Sequence, residues 1–220
     1  MTEENDEGVN TNRIGSYTEN ETKKNWPYTS SGIPDEKFIR GNIPMTKEEI
    51  RAITISKLRP KKDSLIYDIG AGTGSLSIEA ALKAKTGKVL AIERKKEGIT
   101  LIRKNMNKFN LSNIKIVAGE APEILEGLPP PDRVIIGGSG GKLNSIIKKI
   151  DKKLKPDGEI VLNAVTVNTL TEAFNYFKTY NYNFDICSVS ISKNKNIAGY
   201  KMMKALNPVY IISARKKKEN

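Results

Sequence analysis

The strongest constraint on this chain is the stretch from residue 65 to 81, Leu65-Ile66-Tyr67-Asp68-Ile69-Gly70-Ala71-Gly72-Thr73-Gly74-Ser75-Leu76-Ser77-Ile78-Glu79-Ala80-Ala81. Its apolar opening reads as a buried parallel strand. Three glycines follow at alternate positions, and Leu76, Ile78 and the alanines then begin a helix that the spacing ends near Gly87. Strand, glycine turn and helix form the first half of a βαβ unit, where a ligand can approach bare backbone. The dinucleotide fingerprint G-x-G-x-x-G needs a glycine at position 75, and that position is Ser75. Glycines serve a tight turn with or without a ligand, so more is required. A second strand, 88 to 93, ends in Glu93 about 20 residues past the glycines, the spacing at which a carboxylate takes ribose hydroxyls.

The rest of the chain continues the alternation. Thr46 to Leu58 has helical spacing and opens on a capping-box pattern, Thr46-Lys47-Glu48-Glu49, with Pro60 beyond it. Helix 96–109, strand 114–118, strand 132–136, helix 142–154 and strand 159–164 follow. Asn168 is placed to cap a helix carrying Leu170, Ala173, Phe174 and Phe177. Strands near 184–192 and 208–214 close the sheet as an antiparallel pair. Between them lies a segment with Met202 and Met203 that either covers a ligand or forms a subunit contact. This order predicts one α/β domain with a doubly wound sheet. The domain is expected over residues 26–214. Residues 1–25, polar with few apolar side chains, are expected to be a disordered tail. Residues 215–220 are expected to be a solvated basic terminus.

Composition narrows the chemistry. The chain has no histidine, which excludes Ser-His-Asp catalysis, histidine-ligated metal and imidazole bases. Its single cysteine, Cys187, cannot form an internal disulfide and is read as core filling. No metal site is expected. No apolar run reaches the roughly 18 residues of a membrane span, and the N-terminus lacks a signal-peptide pattern. The expected location is the cytoplasm. The 220 residues carry a formal charge of +12, from 37 basic and 25 acidic side chains. That balance suits either an anionic partner or a lysine-rich solvated surface.

The apolar–Asp–apolar–G-x-G-x-G form resembles the first motif of Rossmann-like S-adenosylmethionine-dependent methyltransferases. Six segments resemble a narrower family. They are Gly32-Ile33-Pro34-Asp35-Glu36-Lys37-Phe38-Ile39, Pro44-Met45-Thr46-Lys47-Glu48-Glu49, the 68–74 turn, Gly119-Glu120-Ala121-Pro122-Glu123, Gly137-Gly138-Ser139-Gly140-Gly141 and Ala205-Leu206-Asn207-Pro208-Val209. Together they are similar to the decarboxylating precorrin-6B and cobalt-precorrin-6B methyltransferases of cobalamin biosynthesis. The resemblance implies a mostly parallel seven-stranded sheet with an antiparallel last strand. It implies S-adenosyl-L-methionine as cofactor, held by Thr46, Gly70, Ala71, Gly72, Thr73, Gly74, Glu93 and Ala121. Thr46 is also accounted for as a helix cap. The implied reaction methylates ring carbon 15 of a polycarboxylate tetrapyrrole and removes the acetate carboxyl on ring carbon 12. The conjugated ring can accept the electrons that decarboxylation releases. No residue is identified as a catalytic acid or base. The resemblance further implies a homo-oligomer, a tetramer, with no nucleic-acid or membrane partner.

Gly137, Gly138, Ser139, Gly140 and Gly141 precede a helix, so their N–H groups can bind a substrate carboxylate; a plain flexible loop explains them too. Two rival functions remain at this stage. A tRNA or rRNA base methyltransferase would share the turn and use the charge. Yet the fourth strand ends in glycines instead of an Asn/Asp-Pro-Pro-aromatic motif, and aromatic residues are only 6% of the chain, thin for base stacking. The other rival is a non-catalytic binding module that retains the fold.

Overall fold

The computed structural model describes residues 26–216; the tail expected over 1–25 and positions 217–220 lie outside the described residues. Five strands run parallel: β1 (Leu65–Ile69), β2 (Lys88–Glu93), β3 (Ile114–Ala118), β4 (Arg133–Ile136) and β5 (Glu159–Ala164). After β6 (Tyr182–Val189) comes a separate hairpin of β7 (Ser192–Ile197) and β8 (Tyr200–Ala205), and then β9 (Val209–Lys216). The main sheet has seven strands in the order β3-β2-β1-β4-β5-β9-β6. β9 is antiparallel to both neighbours, with Ile212 opposite Leu162 on one side and Ile186 on the other.

Alternation along each strand sends side chains to two cores, because successive residues face opposite sides of a sheet. Tyr67, Ile69, Leu90, Ile92, Val134 and Ile136 pack against α4 (Leu143–Asp151) and α5 (Val167–Thr179). Ile66, Val89, Ala91, Ile135 and Val161 pack on the other face, against α1 (Glu48–Leu58), α2 (Ser75–Lys83) and α3 (Lys96–Lys108). Both faces are covered, as a parallel sheet requires. Ahead of α1, residues 26–47 form an irregular arm with one short 3-10 turn, Asp35–Lys37.

Several expectations shift. α1 starts at Glu48, its cap position is Lys47, and the Thr46–Glu49 capping box does not form. The Glu48 carboxylate accepts instead from the Asp35 N–H at 3.2 Å, and the Thr46 carbonyl accepts from the Arg51 guanidinium. α5 is capped by Thr166, whose hydroxyl accepts from the Thr169 N–H at 3.1 Å, so Asn168 lies inside the helix. α2 stops at Lys83, ahead of Gly87. The segment between the last two sheet strands is a β-hairpin. Cys187 is half-buried on the edge strand, outside both cores. Arg215 and Lys216 belong to β9, Arg215 opposite Glu159 on β5 and Lys216 opposite Tyr182 on β6, and their side chains pair with Glu159 (2.9 Å) and Asp151 (3.1 Å).

Candidate functional site

The strand order reverses at β1, which has β2 on one side and β4 on the other; ligands of open α/β sheets bind at such a switch point. Here the chain leaves β1 through the glycine turn. The Gly70 and Ala71 N–H groups both donate to the Ile92 carbonyl, at 3.0 and 3.1 Å. Gly70 has φ +71°, and a Cβ on it would lie 2.5 Å from the Gly138 carbonyl oxygen. Only glycine permits the two loops to approach so closely. Gly137 and Gly138 close the contact by donating to the Ile69 carbonyl at 3.0 and 3.3 Å.

Glu93 ends β2 beneath this turn. One carboxylate oxygen accepts from the Gly72 N–H at 2.9 Å, the other from the Lys95 N–H at 2.8 Å. The side chain is buried, and its charge is held by backbone donors. Between the turn, Glu93 and the 137–140 loop lies a cavity of about 270 Å³. Gly70, Gly72, Glu93, Ala121, Gly137, Gly138, Ser139 and Gly140 all line it. Thr46, Ala71, Thr73, Gly74 and Gly141 do not. Gly74 caps α2, and the Thr73 hydroxyl is buried without a partner.

The Gly137–Gly141 expectation is corrected in part. α4 begins at Leu143 with Lys142 at its cap, so these N–H groups are not those of the helix's first turn. Two of them are consumed by Ile69, which leaves only the Ser139, Gly140 and Gly141 N–H groups without a backbone partner.

Three features of the site escaped the sequence reading. Ile43 and Pro44 of the arm form one wall of the cavity. Gly98 on α3 backs the site, since a Cβ there would stand 2.7 Å from Glu93 Cγ and 3.0 Å from the Gly72 carbonyl; a glycine inside an otherwise helical pattern was the available signal. At the mouth, one Glu120 carboxylate oxygen pairs with Arg94 at 2.8 Å and with Lys142 at 3.4 Å, joining three loops. Asp68, under the turn, is fully buried and accepts from the Ser77 hydroxyl at 2.5 Å while its other oxygen has no partner. Burial pushes its carboxyl up to about 6; the Ser77 hydrogen bonds oppose the rise and the Glu93 charge adds to it.

These residues fit an adenosyl sulfonium cofactor. Each Glu93 oxygen has a second lone pair that a diol could use, and Ile92, Ala121 and Ile146 give the cavity an apolar side suited to a base. Among the described residues no helix is long and apolar enough to cross a membrane.

Residues 37–216 match the family described as the precorrin methyltransferase domain. A protein of Sulfurisphaera tokodaii named probable cobalt-precorrin-6B C(15)-methyltransferase (decarboxylating) is 43% identical, over 84% of this chain and 97% of its own length. The crystal structure of a precorrin-6y C5,15-methyltransferase from Geobacter metallireducens superposes with a TM-score of 0.81 at 46% identity, covering 86% of this chain and 100% of that one. A precorrin-8w decarboxylase from Methanobacterium thermoautotrophicum superposes with a TM-score of 0.79 at 32% identity, covering 83% and 99%. The match spans the arm's end, the glycine turn, Glu93 and the glycine loop together, and on that ground this chain belongs to the precorrin methyltransferase family.

Proposed function

We propose that this protein transfers a methyl group from S-adenosyl-L-methionine to carbon 15 of precorrin-6B or its cobalt form, with loss of carbon dioxide from the carbon-12 acetate. One observation carries the reading: a buried carboxylate clipped under a glycine turn faces a second glycine loop across one cavity, in a chain of this family. The cofactor supplies a methyl group already activated on a sulfonium. The chain's part is positioning, which supplies much of the rate when two reactants are held in line. Glu93 orders the turn through Gly72 and presents its remaining lone pairs to the ribose. Ile92, Ala121 and Ile146 exclude water from the base. The Ser139, Gly140 and Gly141 N–H groups serve a substrate carboxylate. When the C–COO bond breaks, its electron pair enters the conjugated ring, so no histidine is needed.

The substrate is a polycarboxylate small molecule and the protein a homo-oligomer, a tetramer in this reading. The test is to incubate the protein with precorrin-6B or its cobalt form and labelled cofactor, then weigh the product. One methyl gained and one carbon dioxide lost is the expected change. A parallel arm offers bulk tRNA; methyl transfer to tRNA with none to the corrinoid would establish the nucleic-acid reading instead.

A further inference from the structure

Asn105 stands where an apolar side chain is due. α3 buries Gly98, Leu101, Ile102 and Asn105, and helical spacing calls for a leucine or isoleucine at the last of these positions. The residue is a fully buried amide. Its Oδ1 accepts from the Ile39 N–H at 2.8 Å, while its Nδ2 donates to the Ile39 carbonyl at 3.1 Å and to the Thr73 carbonyl at 2.9 Å. A buried amide is costly unless it is bonded, and here all three bonds go to backbone. Two belong to the arm, the third to the glycine turn. Among the described residues no other side chain bonds both segments.

The arm matters because Ile43 and Pro44 wall the cavity. It is fastened on either side of them. The Glu97 carboxylate accepts from the Asn42 N–H at 2.7 Å. Arg51, fully buried on α1, pairs with Asp35 at 2.8 Å and Glu79 at 2.9 Å, and also donates to the Ile33 and Thr46 carbonyls. Those clamps hold the arm to α1, α2 and α3; Ile43 and Pro44 pack against Gly72, and among the described residues only the Asn105 side chain hydrogen-bonds the arm to the turn that frames the cofactor.

We infer that Asn105 is a positioning residue of the cofactor site: its amide locks the arm to the glycine turn so that Ile43 and Pro44 close the cavity. The inference rests on the S-adenosylmethionine reading of that cavity. The turn and the arm surround the cofactor before and during methyl transfer alike. Loosening them therefore weakens binding uniformly and raises KM with little change in kcat.

The experiment titrates S-adenosylmethionine into the full chain by calorimetry, for wild type, Asn105→Leu and Glu97→Ala. Arg133→Met serves as control, a buried arginine at the start of β4 that bonds the Arg59 and Asp132 carbonyls at the opposite end of the sheet. Melting temperature and amide exchange at Ile39 are read on the same samples. Asn105→Leu should raise Kd and the cofactor KM about tenfold, within the range that loss of a few buried hydrogen bonds allows, leave kcat within threefold, and expose the Ile39 N–H to exchange. Glu97→Ala, an exposed change that leaves the core intact, should raise Kd about threefold, and it decides the matter if Asn105→Leu does not fold. Arg133→Met should lower the melting temperature with Kd unchanged. Unchanged Kd in Asn105→Leu and Glu97→Ala, or an equal loss of affinity in Arg133→Met, would overturn the inference. Wild type that binds no S-adenosylmethionine would overturn the functional reading beneath it, a result distinct from either.

Discussion

Asp68 and Glu93 are neighbouring acids with opposite circumstances. Glu93 has both oxygens on backbone donors, whereas Asp68 has one oxygen on Ser77 and one on nothing. The consequence for Asp68 is a pH dependence of stability. Its carboxyl titrates near 6 in the fold, against about 3.9 in an unfolded chain. Between those values the native state keeps a proton that the unfolded chain has released, so stability falls as pH rises through the window. The full effect, on the order of 3 kcal/mol, is reached above pH about 7. Asp68→Asn removes the charge. Its melting temperature should match wild type near pH 4 and exceed it by several degrees at pH 7.5; a difference that does not change with pH would show that the carboxyl is not the cause. Glu93→Ala should act on the ligand instead. Loss of a charge-assisted hydrogen bond and of the turn's support should cost about 1.5–3 kcal/mol of cofactor affinity, and calorimetry showing unchanged affinity would confine Glu93 to holding the turn.

Helix ends and one helix glycine contribute separately to stability. Thr166→Ala removes a cap that exists and should cost about 1 kcal/mol in a denaturant titration. Thr46→Ala removes a hydroxyl that caps nothing and should cost less than about 0.5 kcal/mol. Gly98→Ala gains helix propensity but drives a methyl into Glu93 and the Gly72 carbonyl; a net loss of about 1–3 kcal/mol is expected, with weaker cofactor binding. The parallel strands could be read from sequence because each is a short apolar run with glycine or proline beside it, and β2, β3 and β5 fall on the expected residues. The β7–β8 hairpin could not, since Ser192–Ile197 and Tyr200–Ala205 are mainly exposed on both faces and carry no alternation to read. Caps misled for a related reason. Thr46 and Asn168 have the right chemistry, but the arm is bonded to α1 through Arg51 and Glu48, contacts that no local pattern encodes, and α1 begins at Glu48. The glycine turn and Glu93 stood out in the sequence as a candidate ligand site, and Gly70, Gly72 and Glu93 line one cavity. From the arm the sequence reading named Thr46, which does not line the cavity; it missed Ile43 and Pro44, which do, because the arm is held in place by contacts distant in sequence, Asn42 with Glu97 among them.

The hairpin carries a group of exposed apolar side chains. Ile197, Tyr200, Met202 and Met203 are all exposed on it, and it is fixed to the domain through Lys193, paired with Glu49 at 2.7 Å. A second copy of the chain covering these side chains is the expected arrangement, so the double variant Tyr200→Lys, Met203→Lys should fall to monomer in light scattering while the melting of the sheet changes little. Wild type that is already monomeric at micromolar concentration would refute the oligomer. The sheet itself has a peculiarity of another kind. β9 lies between β5 and β6, yet of the described strands it is the last to be translated. While a ribosome still shields that segment, β6 has no neighbour to pair with and β5 presents a bare edge. The nascent chain can therefore assemble the parallel half, β1 to β5, well before the other half exists. Emergence of β9 is the event that joins them, and a chain cut short before Val209 should be a substrate for chaperones and proteases even with the glycine turn, Glu93 and the 137–141 loop all in place.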